Sequence, residues 1–481
     1  MPRRPQGALL PPAPGTPPRR PTLYRSLRNA LLEGLLRPGE RLPSSRQAAA
    51  DYGVSRGLVE EVYAQLMEEG FLSRGVGRGT FVAEQMSRLS TPAAAVRPPR
   101  SVAASRRGAR LAGNASCREP EQFRPFNAGV ADSAEFPWEV WQRLQARAGR
   151  ELGRASLDFA DPRGLPELRQ ALAHYLAQLR GMRCSARQIV VFNSAQQALY
   201  AIALLLLDPG DAAWVEDPGY PGAWAALELA GARLAHVPVD REGLDVAAGI
   251  RRAPRARLAY VTPPHQYPTG AALSMERRIA LLDWAQQRKA WVLEDDYDGE
   301  FRYAGQPLTP LHSLDSDGRV LYLGTLSKSM FVSLRLAFAV VPEALVESLA
   351  NIRSQLDAFS PPLAQLTMSR FMDEGHFSAH VRRMRGVYAA KYAQLTAGLA
   401  PLAARGWSLP ENPVGLHVLL HHRDGALVRR VARASGLELG LLSSYRSRSA
   451  RDDGLLLRFG GLNGAQIDSG TGALLRAGGA G

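Results

Sequence analysis

The chain has 481 residues, 46% of them hydrophobic and 22% charged, which are values of a globular protein with room for two or three domains. No apolar run approaches the roughly 20 residues of a membrane span. Two cysteines are too few for a disulfide framework or a cysteine-rich metal site, and the N-terminus carries no secretion signal. We therefore expect a cytoplasmic protein without a metal site.

The positive charge is concentrated at one end of the chain. The formal net charge is +14, and residues 1–110 hold 18 arginines, no lysine and 8 acidic residues. A basic end on a nearly neutral body indicates a segment that binds a polyanion such as nucleic acid. An arginine-rich composition without such a partner is the alternative.

The N-terminal segment changes character at residue 23. Residues 1–22 are rich in proline and arginine and cannot build a core, so we expect a disordered tail. A helical repeat then runs up to the helix-breaking pair Pro38-Gly39. Leucines recur in it every four residues, at Leu23, Leu27, Leu31 and Leu35.

Two further helices and a hairpin follow this repeat. Ser44 and Gln47 fit a capping box for a short second helix, and Ser55 can cap a third. The inward-facing residues of the third helix are Leu58, Val59, Val62 and Leu66. Two short strands, one on each side of the glycine-rich stretch 75–79, complete a winged helix-turn-helix domain over residues 23–84.

This domain resembles the DNA-binding module of the GntR family, through Pro38–Arg46 and Gly53–Arg56. The resemblance implies duplex DNA as a partner and places the DNA contacts on Arg41, Ser44, Arg46, Ser55, Arg56, Gly77 and Arg78. Helix N-termini offer amides to phosphates, and arginine pairs with guanine, which agrees with these positions. The alternative for Arg46 and Arg56 is that they lie on solvated helix surface and do not contact DNA. Glu60 departs from the family, whose members often carry a basic residue there.

The rest of the chain divides into a linker and a body. Residues 85–122 combine proline, small residues and arginine without periodicity, so we expect a flexible linker before a body at 123–481. Apolar runs alternate with helical segments in the body, at Ile189–Phe192, Ala212–Val215, Leu258–Val261, Trp291–Leu293 and Val320–Leu323. This rhythm predicts an α/β fold with a mostly parallel sheet, in which ligands bind at the C-terminal ends of the strands.

A lysine follows the last of these runs. Lys328 lies in a hydroxyl-rich turn with Thr325 and Ser327, and it is one of only three lysines in the chain. Burial lowers the pKa of an ammonium group and prepares the amine to form a Schiff base; an ordinary surface lysine is the alternative. Asp295 and Tyr297 end another strand two residues apart, so their side chains point to the same side.

These stretches resemble the fold-type I aminotransferases, and among them the MocR-like regulators, in which such a domain follows a GntR-type head. The resemblance is carried by Tyr260–Gly270, Leu293–Tyr303 and Tyr322–Arg335. It implies the fold-type I α/β fold, with pyridoxal 5′-phosphate bound to Lys328 as an internal aldimine. The expected cofactor-binding residues are Ser194, Ala195, Gln196, Tyr220, Asp295, Tyr297, Thr325, Ser327, Lys328 and Arg335.

Two positions bear on ligand recognition. Aminotransferases bind the substrate carboxylate through an arginine near the C-terminus, which makes Arg458 the candidate for the effector carboxylate. Arg446 and Arg448 are the other candidates for this role. Alternatively, Arg458 binds no carboxylate and is an outward-facing charge on an edge strand. Tyr267 departs from the family, which commonly has asparagine before Pro-Thr-Gly, so one polar contact to the cofactor is missing or comes from elsewhere.

Three functions are compatible with this organisation. The first is a sequence-specific transcriptional regulator that senses pyridoxal phosphate or its adduct with an amine or amino acid. The second is an active aminotransferase with an attached DNA-binding head, and the third is a module that has lost the cofactor. The presence of Lys328, Asp295, Tyr297 and Arg335 disfavours the third, and the order of head, linker and body favours the first. Family members form head-to-tail homodimers, so we expect such a dimer, associated with the nucleoid.

Overall fold

The computed structural model of the chain describes residues 20–75, 77–88, 104–112, 120, 122–153, 160–305, 308–410 and 414–479. The chain divides into two compact units, residues 1–104 and residues 105–481. Residues 1–19 of the expected tail and most of the expected linker lie outside the described residues. Across the described ranges, no helix is both long and apolar enough to cross a membrane.

The first unit contains the winged helix-turn-helix domain. Its elements are α1 (Arg20–Leu32), α2 (Ser45–Tyr52), α3 (Arg56–Glu68), β1 (Leu72–Gly75) and β2 (Gly79–Val82). The two strands form an antiparallel hairpin, the wing, and one buried apolar cluster joins all three helices to it. The predicted fold of the head is therefore confirmed, with α1 starting at Arg20, before the expected boundary.

Local signals explain where these helices begin. Ser44 caps α2 by accepting a hydrogen bond from Gln47 N at 3.2 Å, and Ser55 caps α3 by accepting one from Leu58 N at 3.3 Å. The capping box is only half formed, because the Gln47 side chain donates to Asp51 instead. The prediction for Leu35 is wrong: α1 ends at Leu32, so Leu35 lies beyond the helical face and is 48% exposed.

The second unit is an α/β body built on a large sheet. Its elements up to the last strand of that sheet are α4 (Arg106–Ala112), α5 (Trp138–Leu152), α6 (Pro166–Leu179), β3 (Ile189–Phe192), α7 (Ala195–Leu206), β4 (Ala212–Asp217), α8 (Pro221–Leu229), β5 (Arg233–Asp240), β6 (Gly243–Leu244), α9 (Val246–Arg252), β7 (Leu258–Val261), α10 (Met275–Arg288), β8 (Trp291–Asp296), β9 (Val320–Thr325) and β10 (Ala337–Val340). Helix α4 lies within the expected linker.

The sheet has the strand order β3-β10-β9-β8-β7-β4-β5-β6. Strands β9, β8, β7, β4 and β5 pair in parallel, which confirms the mostly parallel sheet. β5, β6 and β10 were not predicted as strands; β10 runs antiparallel between β3 and β9. Successive residues pack on opposite faces, since Leu293 joins one buried cluster and its neighbour Val292 another. Helices therefore cover both sides of the sheet.

The C-terminal part of the body forms a smaller α/β lobe. Its helices and strands are α11 (Glu343–Asp357), α12 (Pro362–Asp373), α13 (His376–Ala403), β11 (His417–His422), α14 (Gly425–Ser435), β12 (Gly440–Leu441), β13 (Asp453–Arg458) and α15 (Gly464–Gly479). The small sheet is antiparallel, with β13 between β11 and β12. Arg458 is thus on a central strand, and the alternative of an outward charge on an edge strand does not apply.

Candidate functional site

Polar side chains gather at the C-terminal edge of the large sheet. β4, β7, β8 and β9 are parallel neighbours, so their C-terminal ends meet at one edge. Glu216, at the end of β4, accepts hydrogen bonds from Thr262 Oγ1 at 2.7 Å and from Gln266 Nε2 at 3.1 Å. Burial raises the pKa of Glu216 to about 7, against the lowering effect of these hydrogen bonds. Glu216 was not among the predicted site residues, and it ties the segment after β7 to β4.

Lys328 follows β9 and is half-buried. Its Nζ donates to the carbonyl oxygen of Gly129 at 2.5 Å. A Cβ on Gly129 would lie 3.4 Å from Lys328 Nζ and 3.3 Å from Arg458 Cδ, so this glycine fits closely against both side chains. The structure therefore brings together a lysine and an arginine that are far apart in sequence.

Asp295 is the second-last residue of β8 and is almost completely buried. Its Oδ2 accepts a hydrogen bond from Tyr260 Oη at 2.8 Å, whereas its Oδ1 has no hydrogen-bond partner among the described residues. Burial raises the pKa of Asp295 to about 7; Tyr260 and Lys328 act in the opposite direction. A buried carboxylate oxygen without a donor is costly, and a protonated pyridine nitrogen would provide that donor. The residues present thus fit pyridoxal phosphate.

Two of the predicted tyrosines occupy this region. Tyr297 Oη donates to the carbonyl oxygen of His265 at 2.9 Å. Tyr220 precedes α8, and a Cβ on Gly222 would come within 2.4 Å of the Tyr220 ring. Only glycine leaves room for the ring in this position. Tyr220 and Tyr267 meet edge to face with ring centroids 5.7 Å apart.

The predicted phosphate-binding residues differ in what they contact. Ser194 caps α7 by accepting from Gln197 N at 3.1 Å, which leaves its hydroxyl hydrogen for another acceptor. Ala195 begins that helix, whereas the Gln196 side chain donates to Gly222 O at 2.7 Å. Helix N-termini attract anions, so the backbone amides of this turn fit a phosphate better than the Gln196 side chain does.

The remaining phosphate candidates lie after β9. Thr325 Oγ1 accepts from Ser327 N at 3.3 Å and so shapes the turn that carries Lys328. Arg335 has a left-handed backbone with φ of 54° and is exposed. Among the described residues it forms neither a hydrogen bond nor an ion pair, so its guanidinium is available to a phosphate.

Arg458 and its two rivals, Arg446 and Arg448, differ in their contacts. Its Nη1 donates to Asn127 O at 3.2 Å, and its Nη2 donates to the hydroxyls of Tyr267 and Tyr445. Arg446 is held by Asp452 through Nη2 at 2.8 Å, and Arg448 is exposed on the loop. Tyr445 was not predicted, although it directly precedes Arg446.

A buried cluster of His265, Asp298 and His417 lies beside Tyr297, and sequence reasoning assigned none of these residues a role. His265 Nδ1 is 3.0 Å from Asp298 Oδ2 and also 3.0 Å from Tyr297 Oη. The His417 ring stacks on His265 with centroids 4.7 Å apart, and burial lowers its pKa well below the usual value. Asp298 fixes the orientation of the His265 imidazole. The imidazole in turn contacts the Tyr297 hydroxyl and helps to position it.

All seven predicted DNA-contacting residues are exposed in the head. Arg56, in the first turn of α3, donates through Nε to Glu60 Oε1 at 2.9 Å, and Ser45 Oγ donates to the same oxygen at 3.0 Å. Glu60 therefore links the start of α2 to the start of α3. In the wing, Gly77 has a φ of +70°, which favours glycine at that turn; Val76 lies outside the described residues.

Two family descriptions match the two units. The family described as bacterial regulatory proteins, gntR family, matches residues 20–82, and aminotransferase class I and II matches residues 126–437. Among solved structures, α-aminoadipate aminotransferase LysN from Thermus thermophilus, complexed with N-(5′-phosphopyridoxyl)-L-leucine, is similar with a TM-score of 0.70 and 26% identity. The match covers 78% of this chain and 96% of that one.

Relatives share the whole arrangement of head and body. The probable rhizopine catabolism regulatory protein MocR of Rhizobium meliloti is 34% identical over 95% of this chain and 92% of its own length. The pyridoxine biosynthesis transcriptional regulator PdxR of Corynebacterium glutamicum is 31% identical over 91% of each chain. TauR of Rhodobacter capsulatus is 34% identical over 79% of this chain and 80% of its own. With its GntR-type head and aminotransferase-like body, the chain belongs to the MocR-type transcriptional regulators of the GntR family.

Proposed function

We propose that this regulator holds pyridoxal phosphate covalently on Lys328 and changes its operator binding when the cofactor, or its adduct with an amine or amino acid, is bound. The observation that carries the proposal is the unpartnered Asp295 Oδ1 in a buried site within the described residues, together with Lys328. The proposed domain limits are 1–22 for a tail, 23–84 for the DNA-binding head, 85–122 for a linker and 123–481 for the body, with α1 of the head beginning three residues before its limit, at Arg20.

The predicted cofactor-binding residues of the body would hold different parts of the cofactor. When bound, pyridoxal phosphate supplies an aldehyde that condenses with amines and a ring that withdraws electrons. Asp295 would hold a proton on the pyridine nitrogen, and Tyr220 would cover one face of the ring. The α7 amides with Ser194, Thr325, Ser327 and Arg335 would bind the phosphate. Tyr297, whose hydroxyl donates to His265 O in the structure, would turn that hydrogen to the phenolate oxygen instead.

Gly222→Ala is expected to weaken cofactor binding about tenfold with little loss of stability. The new Cβ would fall 2.4 Å from the Tyr220 ring, which must then leave its position over the cofactor site. Affinity is measured by titrating cofactor-free protein and following visible absorption. Gly386→Ala in α13, where a Cβ meets nothing within 4 Å, is the matched control and should bind normally. Equal affinity in both variants would contradict this role of Tyr220.

The regulatory proposal is tested by the dependence of operator binding on the cofactor. DNA fragments selected from genomic DNA by the full-length protein provide the operator. Its affinity and bending are then compared for cofactor-free protein, protein with pyridoxal phosphate, and protein with pyridoxal phosphate plus a panel of amino acids and amines. A ligand shifts an equilibrium only by its differential affinity for the two states, so we expect a severalfold change in at least one condition.

Aminotransferase activity is the second candidate function, and the presence of Lys328, Asp295, Tyr297 and Arg335 supports it. Efficient multiple turnover with a common amino acid and keto acid, together with operator binding that ignores the cofactor, would favour the enzyme over the sensor. We also propose a head-to-tail homodimer, in which body geometry sets the spacing of two heads on DNA. Sedimentation analysis of the full-length chain, alone and with its operator, tests this arrangement.

A further inference from the structure

Residues 129–132 form a short segment that lies against Lys328. The carbonyl oxygen of Gly129 accepts a hydrogen bond from Lys328 Nζ at 2.5 Å. The segment also packs on the residues that follow β13, since a Cβ on Gly460 would come within 2.7 Å of Val130 O. Gly129 contacts the amine through its backbone alone, so the position of this acceptor depends on how the rest of the segment is held.

Lys391 on α13 holds the far end of this segment. Its Nζ donates to Asp132 Oδ2 at 2.6 Å and to Gly460 O at 2.9 Å, and the Lys391 and Asp132 side chains are only 11% and 14% exposed. Tyr388, one turn earlier on α13, accepts a hydrogen bond from Asp132 N at 2.9 Å. We call Lys391, Tyr388 and Asp132 the clamp, because together they hold both the side chain and the backbone of Asp132. Hydrogen bonds between charged groups are stronger than neutral ones, so Lys391 is the main anchor.

The contact with Gly129 O favours the released form of Lys328. A lysine ammonium group carries three hydrogens, whereas a nitrogen joined to the cofactor by a double bond keeps at most one. When an incoming amine displaces Lys328, a new C=N bond forms to the amine, the bond to Lys328 breaks, and the two hydrogens of the amine end on Lys328 Nζ. No further reactant is consumed. Gly129 O therefore stabilises the side of this exchange on which Lys328 is released.

We propose that Lys391 is a positioning residue: through Asp132 it holds Gly129 O as the acceptor for the released Lys328 amine, and it thereby favours displacement of Lys328 by the effector. This inference rests on the proposed function for the covalent bond between Lys328 and the cofactor. A contact made on one side of an equilibrium shifts that equilibrium by its own free energy. The clamp thus sets the amine concentration at which the regulator responds, although none of its side chains touches the cofactor residues.

The first test uses the full-length protein loaded with pyridoxal phosphate and ethylamine as the amine. The double variant Lys391→Met/Asp132→Asn removes both charges of the clamp, so that no buried ion is left without its partner. We expect the ethylamine concentration that halves the borohydride-trapped cofactor on Lys328 to rise about fivefold or more, because a charge-assisted hydrogen bond is weakened. Tyr388→Phe removes only the acceptor of Asp132 N, and this milder variant should shift the concentration in the same direction.

The second test uses the cofactor-free protein and does not depend on the cofactor. Trace acetylation is followed by peptide mass spectrometry, with the exposed Lys289 as the internal reference for Lys328. Loss of the clamp should raise the relative labelling of Lys328 severalfold, because Nζ is no longer held on Gly129 O. Arg277→Met/Asp240→Asn removes an ion pair of 2.7 Å between α10 and β5 and is the matched control for both tests. It should behave like the parent, and melting curves verify that each variant is folded.

Two results would overturn the inference. If the clamp variants acetylate faster at Lys328 but release it at the same ethylamine concentration as the parent, the ion pair stabilises the fold and does not act on the exchange. If the acetylation of Lys328 is unchanged, Lys391 does not hold the contact between Gly129 O and the amine. Failure of the proposed function is distinct from both, since the parent would then show no trapped cofactor on Lys328, and the acetylation comparison would still decide whether the clamp holds the amine.

Discussion

Lys328→Ala is expected to abolish covalent retention of pyridoxal phosphate. The parent protein should be yellow, and borohydride reduction should attach the cofactor to the peptide that contains Lys328, with labelling at background in the variant. The reason is chemical: an imine requires a primary amine, and only three lysines are present. Lys391 Nζ donates to Asp132 at 2.6 Å and to Gly460 O at 2.9 Å, so its amine is already engaged and we do not expect it to replace Lys328.

The control for this experiment is Lys289→Gln. Lys289 is exposed at the end of α10 with a left-handed backbone, and glutamine keeps much of the length of the side chain without an amine. We expect full labelling in this variant. Label on Lys289 or Lys391 of the parent, or an unchanged visible band in Lys328→Ala, would show that the cofactor is bound differently. Lys328→Ala should still bind the operator, but without the response to cofactor.

Arg56→Ala and Arg46→Ala are expected to weaken operator binding about tenfold or more each, without changing cofactor labelling. A bidentate arginine–guanine contact contributes about 1–3 kcal/mol of discrimination. Both residues are exposed near the starts of α3 and α2. Affinity is measured for the operator and for unrelated duplex DNA over a range of salt. Loss of a phosphate contact would lower the affinity for both DNAs and would reduce the slope of log affinity against log salt concentration by about 1. Loss of a base contact would lower the affinity for the operator selectively.

Arg25→Ala provides the matched control, because Arg25 is an exposed arginine of α1 whose Nε donates to Pro21 O within the same helix. It should bind DNA nearly as the parent does. Glu60→Ala gives a further comparison: it removes one of the two acceptors of Arg56 Nε, the other being Ser45 Oγ, and one negative charge. We expect tighter binding to unrelated DNA and a weaker preference for the operator. If Arg56→Ala and Arg25→Ala behave alike, Arg56 does not contact the bases.

Much of the head could be predicted from the sequence because its signals are local. The serines at 44 and 55 mark helix starts through contacts three residues away. Leu23, Leu27 and Leu31 mark the buried face of α1. The prediction failed at Leu35 because the leucine periodicity continues beyond Leu32, where α1 ends. The sequence pattern does not show where the backbone leaves the helix.

In the body, the sequence by itself determined four of the five strands that pair in parallel, β4, β7, β8 and β9, and which lysine stands at the edge of the sheet; it missed β5. Apolar runs bounded by polar residues suffice for that. Tertiary structure alone decided that β10 runs antiparallel between β3 and β9, and that Arg458 lies on the central strand of the small sheet. It also decided that, among the described residues, Tyr260 leaves one oxygen of Asp295 without a donor, and that Tyr267 and Tyr445 meet at one guanidinium. These contacts join residues far apart in the chain, and their formation depends on packing and strand pairing, which local residue patterns do not encode.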